Sequence, residues 1–347
     1  TGLVMVMGEV STKSYVPIEQ VVRQTLKKIG YNSSHVGFDY ESCGVLVSID
    51  SQSPDISQGV DHTKDNRSKL DRLGAGDQGI MFGYANTETK ELFPLAPKIA
   101  NDLAFRLTEV RQNKEIANLR PDGKTQITLE YLKNEMPKVK TVVISAQHND
   151  RIDENYLAQQ VRNQVVDKVL ANYKIDSSKY DFIFNPTGKF IIGGPRADTG
   201  LTGRKIIVDT YGGVAHNGGG AFSGKDPSKV DRSASYALRW IAKNIVASGL
   251  AKEVELQISY AIGIAKPISL NINTFGTGHY SDDMILQAVD KVFDLRPAAI
   301  IQSLGLLYVD YTKTSVFGHF GRTDIQFPWE ETNRVEALQT VITSLNV

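Results

Sequence analysis

The residues best suited to chemistry lie in one segment, residues 211–233, YGGVAHNGGGAFSGKDPSKVDRS. Six glycines fall within it: Gly212, Gly213, Gly218, Gly219, Gly220 and Gly224. Lacking side chains, they let a backbone approach a ligand and turn bare N–H groups towards it. Asp226-Pro227 predicts an N-cap followed by a first helical residue. A helix N-terminus carries partial positive charge and favours phosphate. Lys225 stands just before that start, and Lys229 lies four residues further on. Asp231 follows in the expected first turn, where a carboxylate could hold Mg2+. Bared amides, two ammonium groups and one carboxylate together suit a polyphosphate with its metal. The plainer alternative is a flexible surface loop with a solvated helix start. Six glycines, two lysines and a capped helix argue against it.

Two other motifs resemble nucleotide signatures and fail on context. GGAFSGKD (219–226) fits GxxxxGK, but Asp226 stands where a P-loop needs Ser or Thr, and His216-Asn217 precede it where a strand should end. GAGDQG (74–79) fits GxGxxG, but the polar run SKLDRL precedes it. A Walker-type ATPase and a hydride-transfer enzyme are both disfavoured. GAGDQG reads as a tight turn, or as a frame that presents Asp77 and Gln78 to a polar ligand. The six histidines form no metal-spaced cluster, and His216 and His319 read as structural.

Such segments need elements to position them. Strand character over 1–10 gives way to a helix opened at Pro17. Its residues Ile18, Val21, Val22, Leu26 and Ile29 share one face, and Gly30 stops it. A strand is expected at 43–49. The polar stretch 51–73 is too long for an ordinary connection and reads as a lid or binding loop. A second unit begins near Gly74, with helices over 97–119 and 155–170 and strands at 125–131, 139–146 and 182–184. A third places a strand at 205–209, a helix over 227–247 and a strand at 254–260. Several strands follow one another directly, which favours α+β sheets with helices on one face over a doubly wound parallel sheet. Apolar strands reach Val47-Ser48, Ile144-Ser145 and Ile258-Ser259, about 100–115 residues apart, which suggests three related units. The expected domains are 1–73, including the loop 51–73, then 74–194 and 195–347.

The bulk numbers agree with this division, since 347 residues exceed one ordinary core. Lys+Arg and Asp+Glu both number 39, so no basic surface for nucleic acid is expected. Cys43 is the only cysteine, which excludes an internal disulfide framework and fits a reducing cytoplasm. No apolar run approaches the ~20 residues of a membrane helix, and no membrane partner is expected.

GAGDQGIMFGYA (74–85) and GGGAFSGKDPSKVDRS (218–233) resemble the two most distinctive motifs of bacterial-type methionine adenosyltransferases. Further similar segments follow in the same order: GEV (8–10), QSPDI (52–56), RPDGK (120–124), NPTGKF (185–190), IGGPRADTGLTGRKIIVDTYGG (192–213), SYAIG (259–263) and GHFGR (318–322). The resemblance covers essentially the whole chain. It implies three similar α+β domains with pseudo-threefold symmetry, each a mixed or antiparallel sheet with helices on one face. It also implies subunits paired through flat sheet faces, as a homodimer or a dimer of dimers with active sites between partners.

The activity so implied joins the sulfur of L-methionine to C5′ of ATP, expels triphosphate, and hydrolyses it to pyrophosphate and phosphate. A non-catalytic regulatory subunit of the same fold is the alternative. A thioether is already nucleophilic, so catalysis rests on positioning and on cations around the leaving chain. By resemblance those cations are Lys124, Arg204, Lys205, Lys225 and Lys229, with Asp231 a magnesium ligand; two Mg2+ per site and K+ are implied. The ATP ligands implied are Asp122, Gly123, Lys124, Lys189, Phe190, Asp198, Arg204, Lys205, Ala221 and Lys225, with the Phe190 ring near adenine. The methionine ligands implied are Glu9, Gln52, Asp77, Asp198 and Lys229. The loop 51–73 corresponds to a mobile gate, and here it is longer and more basic.

One departure stands out. The family carries a His-Pro-Asp-Lys motif upstream of the position of Thr1, and no such run occurs here. The expectation is therefore a chain that lacks its N-terminal segment, with little activity if it is the whole molecule.

Overall fold

Side chains along Leu3–Glu9 alternate between exposed and partly covered, the period-two pattern of a strand with one covered face. The computed structural model describes residues 2–54 and 68–345. In chain order its elements are β1 (Leu3–Glu9), α1 (Ile18–Ile29), β2 (Gly44–Asp50), β3 (Gly79–Asn86), α2 (Leu95–Gln112), β4 (Leu119–Glu130), β5 (Lys138–His148) and α3 (Glu154–Val161). They continue with β6 (Asp181–Phe184), α4 (Ile206–Asp209), α5 (Val230–Ala247), β7 (Glu253–Tyr260), β8 (Ser269–Asn273), α6 (Asp282–Val292), α7 (Pro297–Ser303) and α8 (Val335–Leu345). The chain divides into two units, Thr1–Ser53 with Ile99–Leu201, and Pro54–Lys98 with Thr202–Val347.

The first unit holds two sheets. β1 and β2 run parallel, from Leu3 opposite Gly44 to Glu9 opposite Asp50. A small core of Leu26, Tyr31, Phe38 and Cys43 accompanies them, and Gly30 ends α1 in the left-handed conformation. The second sheet is mixed: β4 pairs with β5 antiparallel, and β5 with β6 parallel. The Thr125 hydroxyl donates to the Ala100 carbonyl at 2.7 Å, joining β4 to α2. Val142 and Ile144 of β5, Leu103 and Val110 of α2, and Leu157 and Val161 of α3 are all fully buried.

The second unit is built on the antiparallel sheet β3-β7-β8, with Gly79 opposite Tyr260 and Asn86 opposite Glu253. Of the 18 residues of α5, 15 are buried, so this helix is enclosed on nearly every side. Its guanidinium at Arg239 is wholly buried and fully bonded. It meets both oxygens of Glu330 at 2.9 and 2.8 Å and the carbonyls of Tyr84, Glu91 and Leu92 at 2.7–3.0 Å. Lys243 adds a second cation to Glu330 at 2.9 Å. Burial opposes the charge on Glu330, but Arg239 and Lys243 outweigh it and hold the carboxyl below its usual range.

Three sheets with helices packed on them make an α+β fold, as expected. Some local expectations change. Residues 206–209 form one helical turn and not a strand. The Asp209 N–H donates to the Lys205 carbonyl, and the Thr210 hydroxyl to that of Ile206. A short apolar run such as IIVD serves either structure, and among the described residues no strand pairs with it. The helix expected from Pro227 starts at Val230 with Lys229 at its cap position. Asp226 accepts from the Ser228 N–H in a local turn, and the Ser228 carbonyl accepts from Gly76. Immediately after GAGDQ the chain enters β3, not a helix, which removes the dinucleotide reading of that motif. Among the described residues, no helix is long and apolar enough to cross a membrane.

Candidate functional site

The glycine-rich segment and the start of α5 come together in the second unit. Asp231, in the first turn of α5, is ion-paired with the Lys225 ammonium, and its side chain is 12% exposed. Gly220 lies directly against that carboxylate: a Cβ there would overlap the Asp231 side chain. GAGDQG joins the same place. The Gly76 N–H donates to the Ser228 carbonyl at 3.1 Å, and a Cβ on Gly76 would come within 3.0 Å of Lys229 Cδ. Asp77, Lys229, Lys225 and Asp231, spread over more than 150 residues, therefore share one neighbourhood. Gly203 abuts Ala221, which brings the exposed Arg204-Lys205 pair to the loop that carries Lys225.

A buried polar chain supports the Lys225 loop. Arg232 donates to the Lys225 carbonyl at 2.8 Å, to the Tyr236 hydroxyl at 3.1 Å and to the Thr314 hydroxyl at 3.2 Å. The Tyr236 hydroxyl bonds His319 Nδ1 at 2.7 Å, and His319 Nε2 lies 4.0 Å from Asp209. Burial first, then the charges of Arg232 and Arg322, push the His319 imidazole down to about 3. Burial raises the Asp209 carboxyl. His319 is thus held neutral and fully buried, with Nε2 lacking a hydrogen-bond partner among the described residues. Arg232 and Tyr236 were not singled out from sequence; the only hint was a charged residue in an otherwise buried helical stretch. His216 is mostly exposed, with Nδ1 2.8 Å from Glu255.

In the first unit, two sequence segments meet at one end of β5. Gly123 lies opposite Ala146 and Lys124 opposite Ser145, beside an irregularity in β4 between Leu119 and Gly123. The Asp122 carboxylate accepts from the Gly194 N–H at 2.9 Å, and its own N–H donates to Gln147 Oε1 at 3.3 Å. The Asn185 side chain exchanges two hydrogen bonds with the backbone of Ala146. Lys189 and Phe190 follow directly, the lysine exposed and the ring partly buried. Glu9 and Gln52 lie at or just beyond the carboxyl ends of the parallel pair β1-β2, where Glu9 faces Asp50 and the Gln52 N–H donates to the Ser11 hydroxyl at 3.2 Å. Asp198 is exposed, and its carboxylate accepts from the Thr199 N–H. Most of the expected gate, 51–73, lies outside the described residues.

The donor set at Asp231 can be weighed against a metal. Among the described residues, no group of three His, Cys, Asp or Glu side chains could hold an ion. Magnesium seldom uses such an all-protein cage. It binds through one or two carboxylates, with water and substrate phosphate completing the shell. A single carboxylate flanked by two lysines and bared glycine backbone fits Mg2+ delivered with a polyphosphate.

Models of the S-adenosylmethionine synthetase N-terminal, central and C-terminal domains match residues 1–54, 72–190 and 192–331. An S-adenosylmethionine synthase of Clostridium tetani (strain Massachusetts / E88) is 51% identical over 346 residues, covering 99% of this chain and 88% of that protein. The match at 1–54 corrects the expectation of a lacking N-terminal segment to this extent: N-terminal-domain sequence is present over residues 1–54. In the fold, Leu3–Glu9 pairs along its whole length with β2. On three matched domains and identity along its length, the chain belongs to the S-adenosylmethionine synthetase family and is an enzyme of the methionine adenosyltransferase class.

Proposed function

We propose that this enzyme forms S-adenosylmethionine from ATP and L-methionine, and that the residues gathered above divide the work. The methionine sulfur attacks C5′ of ATP, the C5′–O bond breaks, and triphosphate leaves with the bonding pair. Water then cleaves the triphosphate to pyrophosphate and phosphate. The triphosphate carries about four negative charges, so the decisive protein contribution is a fixed set of cations around it. Lys124, Arg204, Lys205, Lys225 and Lys229 supply them. Ala221 lines the nucleotide. Asp122, Gly123, Lys189, Phe190 and Asp198 complete the ATP contacts, with the Phe190 ring against the base. Glu9, Gln52, Asp77 and Asp198 hold methionine together with Lys229.

Asp231 would hold magnesium. The ion's chemistry there is to neutralise phosphate oxygens and so favour departure of the chain. The family's two magnesium ions and potassium belong to the reading, with no residue here assigned to potassium. Self-association through sheet faces, as a homodimer or dimer of dimers, is supported by Leu3, Met5 and Met7. All three expose 43–61% on one side of β1. A cytoplasmic location is supported by the single, reduced cysteine.

The observation that carries this reading is the convergence of GAGDQG and GKDPSKVD on one carboxylate–lysine cluster. The test is to supply ATP, Mg2+ and K+ with and without L-methionine and follow the sulfonium product by chromatography. Methionine-dependent product is expected. ATP binding with no product would sink the catalytic reading in favour of the regulatory alternative.

A further inference from the structure

Between β5 and the segment after Asn185 lies a histidine that the reaction scheme leaves idle. His148, the last residue of β5, is 1% exposed. Its backbone N–H donates to the Phe190 carbonyl at 2.9 Å. Its ring does the converse: the Phe190 N–H points at His148 Nε2 from 3.2 Å. The other ring nitrogen, Nδ1, lies 2.7 Å from the Asn149 carbonyl. The partners decide the tautomer. A backbone N–H can only donate, so Nε2 must carry a lone pair, and a carbonyl can only accept, so Nδ1 must carry the proton. Gln147, one residue earlier, donates to the Ile191 carbonyl at 2.9 Å.

The segment is therefore gripped at both ends, by Asn185 on Ala146 and by Phe190 and Ile191 on residues 147–148. The Phe190 ring has little room to retreat. A Cβ on Gly193 would come within 3.0 Å of ring atom Cε2 and 2.8 Å of Gln147 Cδ. We infer that His148 is a positioning residue: its Nδ1–H tautomer accepts the Phe190 N–H at Nε2, beside the backbone bond from the His148 N–H to the Phe190 carbonyl, and so holds that ring where it meets the nucleotide base. The inference rests on the proposed role of Phe190. It assigns His148 to the base end of ATP and not to its phosphates.

Hydrolysis of free inorganic tripolyphosphate provides the control, because that substrate has no base. The full chain is compared with Phe190→Ala, His148→Leu, His148→Asn and His148→Gln, measuring KM for ATP at saturating methionine and KM for tripolyphosphate. Leucine removes the acceptor. Asparagine is too short to reach Phe190 and serves as a second removal if the leucine variant does not fold. Glutamine can place an oxygen near the Nε2 position. Phe190→Ala and both removals are expected to raise KM for ATP on the order of tenfold, as for a buried N–H left without a partner. KM for tripolyphosphate should stay within about twofold, and His148→Gln should recover most of the loss. If the removals raise both KM values together, or leave KM for ATP unmoved while Phe190→Ala raises it, the positioning role of His148 is wrong. If Phe190→Ala itself leaves KM for ATP unmoved, the role of Phe190 falls first.

Discussion

The start of α5 in the second unit and the outer end of β5 in the first support their proposed ligands in opposite ways. The first is a region of charge. Asp231 and the cap residue Lys229 stand at the start of a helix that is buried nearly all round and tied down by the Arg239–Glu330–Lys243 cluster, with Lys225 on the loop before it. The second shows no buried ion pair among the described residues. Neutral groups, His148, Gln147 and Asn185, hold backbone to backbone. The difference follows the ligand. Polyphosphate charge is met by fixed cations, which repel one another and need a rigid base. An aromatic base is met by a surface whose position matters more than its potential.

The largest expected effect tests the rigid base. Glu330→Gln leaves Arg239 buried without its counter-charge and should lower stability by about 3–5 kcal/mol, read by chemical unfolding. A loss under about 1 kcal/mol would mean that α5 draws its rigidity from apolar packing alone. The pair also predicts an acid limb. Glu330 titrates lower in the folded chain than in the unfolded one, so its contribution is present above the ordinary carboxyl range. It is lost as pH falls through the depressed value.

Next in size is Lys225→Met, which separates the two regions functionally. It should lower kcat for the sulfonium product and for tripolyphosphate hydrolysis alike by ~10²–10³, as for loss of a charged transition-state contact. KM for methionine should change little. His148→Leu should spare tripolyphosphate, so the two variants must differ on that substrate if the division of labour holds. A change confined to KM would reduce Lys225 to uniform binding.

The smallest effect is a pH slope. The unfolded chain binds a proton at His319 below about 6.5, while the folded chain resists it down to about 3. Within that window the unfolded state holds more protons, so lowering the pH destabilises the fold by at most ~1.4 kcal/mol per pH unit. His319→Gln should flatten that part of the stability profile. An unchanged slope would assign the acid sensitivity to other groups.

Much of the chemistry was legible in the sequence because it is locally encoded. Consecutive glycines, lysines spaced by four and a carboxylate two residues later announce an anion and metal site whatever surrounds them. Periodicity likewise marked α1, because an amphipathic repeat is a property of the segment itself, and α5, β2, β5 and β7 were expected to within a few residues of their observed bounds. The one-turn α4 was misread as a strand, since four apolar residues carry no period. β3 was overlooked behind the glycines that precede it.

Tertiary structure alone decided which distant segments meet. It paired β3 with β7 across some 170 residues, set Gly76 on Ser228 and placed Phe190 on His148. It also buried Arg239 as an anchor. None of these follows from neighbours in sequence, because a side chain's partner, protonation and exposure depend on what the folded chain brings within hydrogen-bonding distance. The residue types determined what chemistry was available here. The packing determined which side chains touch the ligands and which only hold those side chains still.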